Sequence, residues 1–158
     1  MKGFTISSDP EQQDFDVIYG FLSQSYWAKG IPKEVLRKAI KHSLCFGVFS
    51  NTGQQVGFAR FITDRATFAY LADVFIVEEY RGLGLSKCLI QTMVDHPELQ
   101  GLRRVMLATK DAHGLYQQYG FTQIAEPEML MQKWQPNVYQ VKGSDKQGEL
   151  KQLAGENG

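Results

Sequence analysis

The sequence predicts one mixed α+β domain, a mostly antiparallel sheet flanked by helices with a single β-α-β crossover. Three observations carry this reading. Two apolar runs, LCFGVF (44–49) and QVGFARFIT (55–63), flank the turn sequence Asn51-Thr52-Gly53, as in a β-hairpin. A strand-like run rich in β-branched and aromatic residues, TFAYLADVFIV (67–77), leads into a helical repeat, and a further strand-like run follows it. Two amphipathic helical patterns precede all of these.

In chain order, KGFTIS (2–7) reads as a short strand. Asp9-Pro10 followed by Gln12 has the form of an N-cap, an N1 proline and a capping-box partner, so a helix is expected from there. Phe15, Ile18, Tyr19 and Leu22 give that helix its buried face, and Gly30 and Pro32 end the segment. A second helix starts near Pro32 with Val35, Leu36, Ala39 and Ile40 as its apolar stripe. After the hairpin, Asp64-Arg65 turns the chain into the long strand. Leu85, Cys88, Leu89, Thr92 and Met93 then recur at helical spacing until His96-Pro97. RRVMLAT (103–109) is a strand and Ala112 to Tyr119 a short helix closed by Gly120. FTQIA (121–125) and MLMQKW (129–134) are expected to pair as a final antiparallel hairpin. The total is about six to seven strands and about four helices.

The chain has 158 residues, 43% hydrophobic and 22% charged, enough for one domain with its own core. Residues 1–140 are expected to form that domain. From Val141 to Gly158 large apolar residues almost vanish, as expected of a polar tail that is mobile or at most a weak helix. Seventeen basic side chains balance seventeen acidic ones, which gives no support to nucleic-acid or polybasic membrane binding. Cys45 and Cys88, both in apolar surroundings, read as reduced thiols. No leader-like or membrane-length apolar run is visible, so a cytoplasmic protein is expected. His42, His96 and His113 have no metal-ligand spacing with each other or with the cysteines, and no metal is expected.

The chemistry is concentrated at Tyr80-Arg81-Gly82-Leu83-Gly84-Leu85-Ser86-Lys87, where the long strand meets a helix. A helix start leaves several N–H groups unpaired and carries partial positive charge, so a phosphate is the natural guest. The two glycines allow close backbone approach, and Arg81 and Lys87 add charge. The spacing excludes a P-loop, which needs G-x-x-x-x-G-K-[ST], and a Rossmann fingerprint, whose third glycine position is Lys87 here. One crossover later stands Leu115-Tyr116-Gln117-Gln118-Tyr119-Gly120-Phe121.

Together these segments resemble the GNAT superfamily of acyl-CoA-dependent N-acetyltransferases, with its [RQ]-x-x-G-x-[GA] after the fourth strand and its later L-Y-x-x-x-G-F. The resemblance spans residues 2–135 in element order as well as motif. Stretches such as SYWAKGIP, GFARFITD, ADVFIV and LATKDAHGLY are similar to those of a bacterial group of GNAT proteins whose substrates are mostly unassigned. One position departs from the pattern: the third small residue is Ser86, whose hydroxyl can still meet a phosphate oxygen.

The resemblance implies acetyl-CoA as co-substrate, its pantetheine arm along Phe75, Ile76 and Val77 and its pyrophosphate at Arg81, Gly82, Leu83, Gly84, Leu85, Ser86 and Lys87. It implies attack of a primary amine on the thioester in a ternary complex, an oxyanion donor near Phe75 or Ile76, and Tyr116 as proton donor to the departing thiolate. Neither cysteine suggests an acyl-enzyme. Asp73 is an acid in an otherwise apolar strand. It stands as a candidate to accept the amine's proton or bind the ammonium, or else to hold a neighbouring loop, and Arg60 is a prospective partner of Asp73 or of Asp64. Tyr26 and Trp27 fall where the superfamily builds its acceptor site, as a cation–π wall or as core packing. Glu78 and Glu79 read as solvated turn residues and His113 as a capping or surface residue. A small-molecule amine is the favoured acceptor, with a peptide or protein amine the alternative. A cofactor-binding sensor without catalysis is the rival from another class, and the chain is expected to be a monomer or homodimer.

Overall fold

The computed structural model describes residues 2–140, so the predicted polar tail lies outside the described residues. Five strands form one sheet in the order β1-β2-β3-β4-β5: β1 Phe4–Ser7, β2 Leu44–Ser50, β3 Gln55–Thr63, β4 Phe68–Ile76 and β5 Arg104–Leu107. The first four pair antiparallel, and β4 pairs parallel with β5. Four helices accompany them: α1 Phe15–Leu22, α2 Lys33–Lys41, α3 Leu85–Val94 and α4 His113–Gln117. The β4-α3-β5 crossover is the predicted one, because parallel neighbours require a connection that crosses the sheet.

Strand alternation divides the core between the two faces. Phe58 and Phe75 join Ile18, Leu22 and Leu36 under α1 and α2. Phe46, Phe61 and Leu71 pack with Leu85, Leu89, Ile90 and Met93 of α3. Each fully buried side chain of this size contributes about 1.5–3 kcal/mol of transfer free energy, which compensates α3 for having no side-chain cap.

Three expectations about elements change. Asp9 caps only a 3-10 turn, Pro10–Gln12, and α1 starts at Phe15 with Asp14 accepting from the N–H groups of Asp16 and Val17. The buried Gln55 side chain accepts from the Asp14 N–H at 2.6 Å and fixes this later start. The sheet has five strands among the described residues, against the six to seven expected, because FTQIA and MLMQKW do not enter it. Residues 122–138 are exposed throughout and belong to no strand. The stripe of α2 is also narrower than its sequence suggested, with Leu36 buried and Val35 exposed.

Two features of β4 shape the site. The β4–β5 ladder ends with β5 itself, at Leu107 opposite Leu71, while β4 continues to Ile76, so the last part of β4 has no strand beside it on this edge. On the other edge the β3–β4 register slips: Phe58 faces Phe75 and Arg60 faces Ala72, leaving Asp73 and Val74 opposite Ala59 alone. This is a β-bulge, and Asp73 lies in the left-handed region at φ 58°.

Candidate functional site

A cleft between the end of β4, the start of α3 and α4 has a volume of about 340 Å³. Its walls include Trp27, Val74, Phe75, Ile76, Arg81, Gly82, Gly84, Leu85, Ser86 and Tyr116. Nine of the residues singled out in the sequence therefore meet on one surface, although they come from a loop, a strand, a helix start and a second helix. Val77, Leu83 and Lys87 flank the cleft in sequence without lining it, and neither Tyr26 nor Asp73 lines it.

The phosphate-loop candidate has the backbone a guest anion requires. Gly82 and Gly84 adopt φ 80° and 77°, a region that costs other residues a Cβ clash. A Cβ added at either would meet no other atom within 4 Å, so both glycines face open space. Gly84 caps α3 without a side-chain bond, and the Cys88 N–H is the first to reach back, to the Gly84 carbonyl at 3.2 Å. The N–H groups of residues 84–87 find no backbone acceptor among the described residues. Arg81 closes this corner. Its Nε donates to the Ile76 carbonyl at 3.0 Å, which holds the guanidinium across the end of β4.

The strand edge above is open at the Ile76 N–H, its carbonyl being taken by Arg81. Val77 donates its N–H to the Val56 carbonyl at 2.9 Å, so alternation turns the Ile76 N–H and carbonyl to the opposite edge, toward the cleft. The same alternation turns the Phe75 N–H toward β3. The Phe75 side chain goes into the core, stacked on Phe21 at 4.0 Å. Of the two backbone donors suggested by sequence, Ile76 is the one that faces the cleft.

Tyr116 is buried in the first turns of α4, with its ring against Phe121 at 6.0 Å. Among the described residues its hydroxyl makes no hydrogen bond, and no buried side-chain oxygen or nitrogen there lacks a partner, so the hydroxyl opens onto the cleft. Burial, with a smaller contribution from Tyr26, pushes its pKa above the usual 10.0. A phenol so placed stays protonated at neutral pH and can give its proton to a stronger base. The two sequence motifs are joined directly: the Tyr119 hydroxyl donates to the Lys87 carbonyl at 3.0 Å.

Asp73 has both carboxylate oxygens engaged within the chain. Arg60 Nε approaches Oδ2 at 2.5 Å, and the Trp27 indole N–H donates to Oδ1 at 2.8 Å. Arg60 is steadied in turn by the Ser43 hydroxyl at 3.0 Å. This network fastens the α1–α2 connection to the bulge of β4, as the loop-holding role among those left open for Asp73 requires. Trp27 is thereby set as one wall of the cleft, while Tyr26 stands outside it, 71% exposed, with the Lys110 ammonium 5.4 Å from its ring centre. Cys45 lies behind Arg60, where burial drives its thiol up to about 12, and it is an inert thiol there. His113 starts α4 on the exposed side and does not line the cleft.

Sequence reasoning missed Phe21 and Ala112, which line the cleft together with Tyr80 and Leu115 of the two motifs. Phe21 carried a usable signal, being a large aromatic in α1 off the Phe15/Ile18/Leu22 stripe. Among the described residues no group of three His, Cys, Asp or Glu side chains is placed to hold a metal ion, and no helix is long and apolar enough to cross a membrane.

Comparison with known proteins gives this geometry its context. A profile of the acetyltransferase (GNAT) family matches residues 21–121, which include both motifs. A crystal structure of a provisionally named GNAT-family acetyltransferase from Xanthomonas campestris pv. campestris aligns with a TM-score of 0.86. It is 51% identical and covers 89% of this chain and 99% of its own. A Gibberella zeae protein provisionally named an acetyltransferase is 36% identical over 135 residues, 72% of this chain and 75% of that protein. Glucosamine-6-phosphate N-acetyltransferase from Arabidopsis thaliana, at 16% identity and a TM-score of 0.60 over 83% of this chain and 97% of its own, shares the fold. On the family match, and on relatives this similar over most of their length, the chain belongs to the GNAT family of acetyltransferases.

Proposed function

We propose that this chain transfers the acetyl group of acetyl-CoA to a primary amine, a small-molecule amine in preference to a peptide or protein, by direct attack in a ternary complex. One observation carries the reading: an uncapped helix start with Arg81, an open strand edge at Ile76 and a protonated Tyr116 hydroxyl all face the same cleft. Acetyl-CoA supplies an activated acetyl group and a thiolate leaving group. The N–H groups of residues 84–87 and the Arg81 guanidinium hold its pyrophosphate, with Ser86 contributing a hydroxyl. The Ile76 N–H is the donor available to a thioester oxygen that gains negative charge as the amine attacks. As the carbon–nitrogen bond forms and the carbon–sulfur bond breaks, the Tyr116 hydroxyl gives its proton to sulfur. The amine's own proton leaves to water at the exposed mouth. Asp73 acts on the acceptor through Trp27, as a positioning residue. The even balance of charge favours a small acceptor over an extended charged partner.

The test is release of free thiol from acetyl-CoA across a panel of amines and peptides. Acceleration by small primary amines is the expected result. Tight acetyl-CoA binding with no acceleration by any acceptor would replace this reading with that of a sensor, and acceleration by peptides alone would move the acceptor class. Absence of acetyl-CoA binding would overturn both.

A further inference from the structure

The charges around the cleft narrow the class of amine it fits. Among the described residues that line it none is acidic, and the one charged side chain there, Arg81, is a cation committed to the corner at the end of β4. Asp73 does not line the cleft, and both of its oxygens are engaged, by Arg60 and by the Trp27 indole. Glu78 and Glu79 belong to the turn after β4 and do not line it either. An acceptor that brings only an ammonium therefore finds no carboxylate in the cleft to hold it.

At the rim the charge on offer is again positive. The turn between β5 and α4 is closed by the Thr109 hydroxyl, which accepts from the Ala112 N–H at 3.0 Å, and Ala112 is part of the cleft wall. Lys110, inside that turn, is exposed, and its ammonium stands 5.4 Å from the centre of the Tyr26 ring. Tyr26 in turn meets Trp27 edge-on, with ring centroids 5.0 Å apart, and Trp27 is a wall of the cleft. Tyr26 also adds to the rise in the Tyr116 pKa, so this pair of rings and its cation stand at the reacting end. The ion pairs among the described residues are Arg60–Asp73 and Arg65–Glu98, so Lys110 is paired neither with its neighbour Asp111 nor with any other acid there. One face of Tyr26 already carries a cation, and a second ammonium brought beside it meets like charge.

Given acetyl transfer to an amine, on which this rests, we propose that the acceptor also carries an anionic group, a carboxylate or a phosphate, and that Lys110 selects for it at the rim of the cleft. The lysine ammonium is a compact charge with three donors, able to follow either anion. With the anion seated there, the amine at the other end of the molecule passes Trp27 to reach the thioester beside Tyr116. Lys110 sets specificity and takes no part in bond making. Diamines and lysine-rich peptides, positive along their whole length, are disfavoured by the same charge.

Matched acceptors test this in the thiol-release assay: O-phosphoethanolamine against ethanolamine, and short ω-amino acids against their amides. The anionic member of a pair should show kcat/KM higher by about tenfold or more. Lys110→Gln should bring that ratio toward one, chiefly through KM for the acceptor, and Lys110→Arg should retain it. A lysine that only fastens its loop to Tyr26 would leave the ratio alone. Equal use of both members of each pair, or a ratio that survives Lys110→Gln, overturns the proposal. So does a preference for diamines that is lost in Asp111→Asn, which would give the selection to the acid. If no amine of either kind releases thiol, acetyl transfer itself fails, and calorimetric titration of the CoA-loaded protein with O-phosphoethanolamine decides on Lys110. Binding that Lys110→Gln weakens about tenfold supports the anion site, and absence of binding overturns it.

Discussion

The indole N–H of Trp27 and the carboxylate of Asp73 are joined at 2.8 Å across 46 positions of sequence, and the same carboxylate binds Arg60. Their side chains leave Asp73 8% and Arg60 15% exposed, so the ion pair is sheltered from water. Removing one member of a buried pair strands the other charge.

Asp73→Ala should therefore cost about 3–5 kcal/mol of stability. Asp73→Asn should cost about 1–3 kcal/mol, since asparagine tolerates the left-handed backbone and still accepts from Trp27. Urea unfolding of both variants measures the difference. In the thiol-release assay, Asp73→Asn should raise KM for the acceptor more than for acetyl-CoA, because Trp27 walls the cleft. Equal changes in the two would separate Asp73 from the acceptor side.

Tyr116→Phe removes the buried phenol that opens onto the cleft from α4 while keeping the ring that packs on Phe121. Turnover should fall about a hundredfold, within the range for a positioned acid, and acetyl-CoA affinity should change little. Because burial raises the Tyr116 pKa above 10.0, the wild-type rate should show no loss of this proton donor up to about pH 9. Unchanged turnover in the variant would remove Tyr116 from the reaction.

Gly84→Ala forces a side chain into the left-handed region at about 1–2 kcal/mol and points a methyl into the space before α3. Arg81→Ala leaves that backbone alone and removes only charge and donors. Calorimetric titration with CoA should show weaker binding in both, about tenfold or more for Arg81→Ala. Thermal unfolding should show a lower midpoint in Gly84→Ala.

Cys45 couples stability to alkaline pH. Its thiol ionises at 9.0 in an unfolded chain and at about 12 in the fold, chiefly because it is buried. The unfolded state thus loses its proton first, and stability that is complete below pH 9 declines as pH rises from 9 toward 12. Urea midpoints across that range should fall less steeply in Cys45→Ala than in wild type.

Much of this was visible in the sequence because it is written locally. The hairpin around Asn51-Thr52-Gly53, the strand before Arg81 and the stripe Leu85/Leu89/Met93 each announce themselves within a dozen residues. The bulge at Asp73 does not: YLADVFIV reads as an unbroken strand, and the left-handed turn at its centre depends on Arg60 and Trp27, which lie far away in sequence. The start of α1 was misplaced for a similar reason, since Gln55 decides it from another strand. FTQIA and MLMQKW have the composition of strands, but composition alone does not supply an edge for them to join, and both stay outside the described sheet.

The hydrogen bond from Tyr119 to the Lys87 carbonyl has a metrical consequence. It ties the turn after α4 to the first turn of α3, and so couples the position of the Tyr116 hydroxyl to that of the anion-binding corner. Under the proposed chemistry the cleft then works as a caliper. A thioester whose arm is shorter or longer than that of coenzyme A would reach the corner with its sulfur out of step with Tyr116, and length alone would sort it from the true donor.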